Sequence, residues 1–174
     1  MPIMDSELEG ASTFSLIPSG LVNAHVSEKE DKLSKDSKAP MAQLEWTIDE
    51  GEHQGRKIKF DTIMLGGKTK DGKPQSLGNL CSFIYYTGYP WTCGHCGVEH
   101  TDKHSFHIGT KEDADKGVKI GQYVCPDCFN PVPKISHNTD LMKGQRCGLR
   151  VGSRKEEGGD REFNKVVAYT DLQE

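Results

Sequence analysis

Two Cys-x-x-Cys pairs, Cys93/Cys96 and Cys125/Cys128, constrain this chain more than any other feature, with 28 residues between them. Gly94 and Gly97 let the backbone of the first pair fold back toward sulfur, and Pro126 stiffens the second turn. Four thiolates at this spacing close a tetrahedral shell around Zn2+ and leave no open coordination position, so the ion expected here is structural. The connection is longer than the usual ribbon spacing of about 15–20 residues, so it must hold structure of its own, a hairpin being the simplest. His95, His100, His104 and His107 lie inside it, and His100 is the first candidate to replace a cysteine. A pair of disulfides would suit a secreted chain, but MPIMDSELEG is acidic and lacks the apolar core of a signal peptide. A redox Cys-x-x-Cys would need a βαβ setting, which the sequence does not offer.

The 174 residues suit one domain plus an insert. A mean hydropathy of −0.65 implies a modest core and a wet surface. No run of about 18 apolar residues suggests a membrane span, and a reducing cytoplasm is the expected compartment. Cys81 and Cys147 then remain as buried free thiols. The net charge of −4 hides a polarity. Residues 1–52 carry four lysines against eleven acids, whereas residues 53–92 carry six basic residues against two acids. Local basic segments of that kind are what attract a polyanion.

Along the chain, residues 1–13 read as an acidic, flexible N-terminal segment. Leu21 to Val26 alternates as a strand, and EKEDKLSKDSKAP reads as a polar loop. Met41 to Ile48 is a second strand, with Ala42, Leu44, Trp46 and Ile48 on one face. Arg56 to Leu65 is a third, placing Ile58, Phe60 and Met64 on one face and Lys57 and Lys59 on the other. After the loop GGKTKDGKPQ, Ser76 caps a helix from Leu77 to Tyr86 that Gly88 closes. Beyond the insert, Gly144 to Gly152 and Phe163 to Tyr169 return to strands, with Cys147, Leu149 and Val151 inward and Arg146 and Arg150 outward. A mainly β chain with five strands and a short helix between the third and fourth follows the order of an OB-fold barrel. The barrel would comprise residues 14–90 and 134–171, and the four-Cys zinc lobe residues 91–133.

One stretch, EWTIDEGEHQGRKIKFDTIMLGGKTKDGKPQSLGNLCSFIYYTGYPW, resembles a family of phage replication-module proteins long carried as a domain of unknown function and similar to OB-fold single-stranded-DNA-binding proteins. Glu50-Gly51-Glu52, Gly55-Arg56-Lys57, Leu65-Gly66 and Leu80 to Gly88 carry the likeness, together with the IPSG turn and KGQRCGLRVG. The resemblance covers about residues 14–92 and 140–170. It implies non-catalytic binding of single-stranded DNA in replication or recombination, in the cytoplasm of a host cell if the chain is phage-encoded.

An OB-fold grips a strand with basic groups and with aromatics on which bases stack. The expected nucleic-acid contacts are Lys57 and Lys59 on the third strand, Lys68, Lys70 and Lys73 on the next loop, and Arg146, Arg150, Arg154 and Lys155 on the fourth strand and its turn. These groups would bracket one groove; the bland alternative is ordinary solvated strand faces. Tyr86 and Tyr89 are the stacking candidates, whereas Trp46, Phe60 and Phe83 read as core and Trp91 as packing the zinc lobe onto the barrel. The GGKT at Gly66 to Thr69 is not a P-loop, because Thr62 stands where the first glycine is required. No nucleophile–base or paired-carboxylate arrangement is apparent, so no catalysis is expected. The main alternative is a protein-interaction module recruiting or inhibiting a replication, recombination or host factor; a metal-dependent nuclease is the weaker one.

Overall fold

A computed structural model describes residues 16–159 and 161–174. The acidic segment 1–13 lies outside the described residues. Ten strands form three antiparallel sheets. The largest holds β1 (Gly20–Leu33), β2 (Pro40–Ile48), β3 (Lys57–Met64), β9 (Arg146–Lys155) and β10 (Glu162–Thr170), in the order β10-β9-β1-β2-β3. Helix α1 (Gly78–Thr87) packs against β3, β9 and β10. Between α1 and β9 lies a lobe of short strands: β4 (Trp91–Cys93), β5 (Glu99–His100), β6 (His107–Ile108), β7 (Tyr123–Val124) and β8 (Ile135–Ser136).

The mainly β reading stands, but the barrel does not close. Strands β3 and β10 face each other with no ladder between them. Side chains bridge this seam instead: Tyr169 Oη donates to Asp61 Oδ2 at 2.6 Å, and Trp46 Nε1 donates to the same oxygen at 2.8 Å.

Period-two alternation explains the core. Ala42, Leu44, Trp46 and Ile48 of β2 point inward with Ala24 and Val26 of β1 and with Cys147, Leu149 and Val151 of β9. Phe83 of α1 meets Trp46 at 6.0 Å and Tyr169 at 5.7 Å between ring centroids. Burying a side chain such as Phe83 contributes about 1.5–3 kcal/mol. The helix starts one residue later than its pattern suggests. Ser76 Oγ accepts from Gly78 N only at 3.4 Å, while Gly88 ends the helix in the left-handed region at φ 77°. Cys81 and Cys147 are buried free thiols.

Two expectations need correction. The charged run EKEDKL is not a loop, because β1 continues to Leu33 and pairs with β2 down to Pro40. The ladder with β2 carries this run, and Lys29, opposite Leu44, extends its Nζ to the exposed carboxylates of Asp31 at 2.9 Å and Asp140 at 3.3 Å. Phe60, read as core, is 57% exposed. Trp46 pairs with Ile58 but Leu44 pairs with Asp61, so Lys59 and Phe60 together oppose Glu45 in a bulge. Phe60 takes φ 65°, a conformation that costs a bulky side chain about 1–3 kcal/mol. The slip brings Ile58 and Ile63, which lie an odd number of residues apart, onto the same inner face.

Burial raises the pKa of Asp61 from its ordinary 3.8, against the hydrogen bonds from Tyr169 and Trp46 that favour the anion. A raised carboxyl keeps its proton in the fold while the unfolded chain has lost it. Its contribution to stability is therefore full below the ordinary value and lost as pH rises through the folded value. Replacing Asp61 by Asn keeps an acceptor for both donors and removes the charge. Urea melts across pH should show wild-type stability falling over that window, and D61N should lack this fall and gain about 1–3 kcal/mol at neutral pH.

Candidate functional site

The four cysteines come together in the lobe. Cys93 ends β4, and Cys96 follows on a turn in which Gly97 N donates to Cys93 O at 2.8 Å. The second pair repeats the turn, with Phe129 N donating to Cys125 O at 2.9 Å. Gly97 and Phe129 occupy equivalent left-handed positions, φ 77° and 54°. Phe129 tolerates this with its ring 4.8 Å from that of His107 and the Lys116 ammonium 4.2 Å away.

All four sulfurs lie within 4.8 Å of one another, with Cys93–Cys128 at 3.8 Å and Cys96–Cys125 at 3.7 Å. Sulfurs bonded at about 2.3 Å around a tetrahedral ion sit about 3.8 Å apart, whereas a disulfide needs about 2.05 Å. The cluster is thus compatible with a zinc site. Backbone amides point at sulfur as well: those of Cys96 and His95 reach Cys93, and those of Cys128 and Asp127 reach Cys125. Burial pushes the Cys93 thiol up, but these amides and the adjacent thiols outweigh it and bring it down to about 7. Burial dominates at Cys125 and pushes it up to about 12. Four neighbouring thiolates need a cation among them to ionise together.

His100 stands beside this shell. Its Nε2 lies 3.7 Å from Cys125 Sγ and 3.4 Å from Asp127 Oδ2. Its ring stacks on Trp91 at 4.5 Å, and Phe106 stacks on Trp91 at 4.3 Å. The insert does contain an antiparallel pair, β6–β7, joined through a 3-10 helix at Lys111–Lys116, and β8 pairs with β4, so the lobe's sheet runs to Ser136, beyond the expected boundary at 133. His107 belongs to that pair's support, held by Asp113 at 2.8 Å.

The proposed nucleic-acid residues divide into separate groups. Lys57 and Lys59 project outward from β3, half exposed, and both reach Glu45, at 3.0 Å and 3.8 Å. Glu45 also faces a bulge on β1, since Val26 pairs with Trp46 and Glu28 with Glu45, leaving Ser27 extra. Ser27 Oγ donates to Glu45 O at 3.1 Å and Thr47 Oγ1 donates to Ser27 Oγ at 2.8 Å. Partial burial pushes Glu45 up, but Lys57 and Lys59 outweigh it and hold the carboxyl below its ordinary range. Glu45 was not singled out in the sequence. Its only signal there is the odd spacing from Ile58 to Ile63, which forces a bulge opposite it.

Arg146 lies on the same outer face, in the row Arg146–His25–Thr47–Lys57 set by the ladders. Asp49 takes up its charge, 2.6 Å from Arg146 Nε and 2.5 Å from His25 Nδ1. Arg150 and Arg154 continue up β9 on this face while Lys155 falls on the opposite one, and none of the three has an ion-pair partner among the described residues. The same holds for Lys68, Lys70 and Lys73, whose loop packs at the Leu33–Pro40 end of β1. At the other end, about 40 Å of strand away, Arg150 pairs with Leu21 and Arg154 and Lys155 lie beyond Gly20. These two groups do not bracket a single groove. Tyr89 is fully buried, its hydroxyl donating to Asn138 O at 2.7 Å, so its ring is closed to a base. Tyr86 packs on Tyr85 and His104 and is only partly exposed. Trp91 is buried, with its ring stacked inside the lobe on His100 and Phe106.

Purified protein should carry one zinc per chain by elemental analysis, and serine at any one of Cys93, Cys96, Cys125 or Cys128 should abolish stoichiometric loading. Structural zinc in small peptides is worth about 10–16 kcal/mol of folding, so chelation should disturb Trp91 fluorescence in a W46F background while the five-stranded sheet persists. Replacing His100 by Ala should weaken zinc retention against a chelator by about 10-fold or more, as removal of outer-shell donors does.

No helix among the described residues is long and apolar enough to cross a membrane. The comparison with curated proteins finds no match. A family model described as "Protein of unknown function (DUF669)" matches residues 4–103, which takes in β1 to β3, α1 and the first cysteine pair but neither the second pair nor β9 and β10. On that match, spanning more than half of its length, the chain belongs to the DUF669 family of proteins of unknown function.

Proposed function

We propose that the outer face of the five-stranded sheet binds single-stranded DNA without catalysis, and that the lobe is a structural Zn2+ clip. The observation that carries this is the double bulge around Glu45. One carboxylate there gathers two half-exposed lysines, so these three groups keep a net positive charge, while Glu28, opposite Glu45, is paired with Lys143. Bulges re-aim side chains next to functional sites, and phosphate contacts need cations held at a fixed place rather than scattered. The strand order, five antiparallel strands with β1 paired to both β2 and β9 and a helix after β3, supports an OB-like arrangement left open between β3 and β10. Arg150 and Arg154 would extend the path along β9 on the same outer face, whereas Lys155 and the distant Lys68, Lys70 and Lys73 fall outside it. The likeness to phage single-stranded-DNA-binding proteins points to replication or recombination as the setting.

A second reading, a protein-interaction module, has one observation in its favour: the lobe exposes Ile120 at 70% and Val132 at 66%. Capture of a replication or recombination protein that survives nuclease treatment and is lost with I120D would favour it.

Fluorescence anisotropy on labelled oligo-dT at several salt concentrations tests the leading reading. Affinity should fall with salt, each phosphate contact adding about 0.7 to the slope of log K on log salt. The K57A/K59A double variant should lose about 1.4 of that slope. Conversely, E45Q should bind several-fold more tightly, because both ammonium groups lose their carboxylate. Zinc-loaded wild type that shows no salt-dependent binding would refute the reading.

A further inference from the structure

We propose that Phe60 is a stacking platform for an unpaired nucleobase, a role that rests on the single-stranded-DNA reading above. The β3 bulge does two unfavourable things at once. It turns an aromatic ring out to water, and it turns a carboxyl, Asp61, inward beneath Trp46 and Tyr169. An unbulged strand continuing the alternation from Ile58 would bury Phe60 and leave Asp61 in solvent. The chain also holds Phe60 at φ 65°, where glycine or asparagine would sit with far less strain. Local rules broken together in one place mark a site kept for something other than folding.

The surroundings of Phe60 name the ligand. No other ring and no cation stacks on it among the described residues, although Trp46, Phe83, Tyr85, Tyr89, Trp91 and Phe106 all have aromatic neighbours. Lys59 precedes it, and Lys57 stands on the same outward side, each about half exposed and sharing a single carboxylate. A flat apolar surface beside surplus positive charge fits a ligand that carries a π-face and an anion in every repeating unit. An unpaired nucleic-acid strand is such a ligand, and any base can stack, so the contact is sequence-tolerant. An apolar protein partner would leave the lysines without a role, and an anion alone would leave the ring without one.

Oligo-dT anisotropy on wild type, F60A and F60G, with the fold checked by near-UV circular dichroism, tests the assignment. Both variants should bind roughly 5- to 150-fold more weakly, the range stacking of one base accounts for, with the salt slope unchanged because no phosphate contact is removed. F60G should also raise the urea midpoint by relieving the left-handed backbone. An abasic oligonucleotide should bind wild type and F60A alike. Wild type that binds with salt dependence while F60A binds equally well would overturn the platform and leave the face intact. A failure of wild type to bind at all would overturn both.

Discussion

Strand β1 joins two pieces of chain that have no other hydrogen-bonded ladder between them. The meander β1–β2–β3 and the hairpin β9–β10 are separated by the helix and the entire lobe, and only the β1–β9 pairing, from Gly20–Val151 to His25–Arg146, makes them one sheet. Beyond His25 the strand leaves β9, bulges at Ser27 and continues with β2 alone. That change of partner curves the sheet, so that β3 and β10 meet across Asp61 and Tyr169 without becoming a closed ladder. Trp46, Phe83 and Tyr169 fill the space beneath, and α1 covers it.

The same curvature shapes the outer face. Two bulges on different strands, at Ser27 and at Lys59–Phe60, converge on Glu45. Their consequence is a small surface where hydrogen bonds, ion pairs and an exposed ring are concentrated, with the Arg146–Asp49–His25 cluster beside it on the same face. The lobe is independent of this logic. It is held by a cysteine cluster and by the Trp91 stack, and it reaches the sheet domain through aromatic contacts such as Tyr85–Tyr123 and through the His104–Asp171 pair.

Much of this was legible in the sequence because period-two alternation is a strong signal. Ala42 to Ile48 and Cys147 to Val151 could be placed inward from pattern alone, and the cysteine spacing foretold a four-sulfur cluster. What pattern could not reveal was a change of phase inside a strand. Alternation from Ile58 places Phe60 in the core, and only the slip at Lys59 moves it out. Charge misleads in β1, where EKEDKL reads as loop but pairs with β2 from Glu28–Glu45 to Leu33–Pro40. Tyr89 looks available in the sequence because it clusters with Tyr86 and Trp91 after the helix, beside the insert. Nothing local announces that Asn138 and His137, some 48 residues later, enclose its hydroxyl. Ion pairing was equally invisible, since Arg146 meets Asp49 only through the β1 register.

The central claim is that the bulged outer face around Glu45, and not another surface, meets an unpaired strand. Amide chemical-shift mapping of the zinc-loaded protein, titrated with oligo-dT, tests it most directly. The account predicts shifts concentrated at Ser27, Glu45, Thr47, Lys57, Lys59 and Phe60 and fading across the inner strand positions. Shifts confined to the lobe, or none at saturating oligonucleotide, would contradict it.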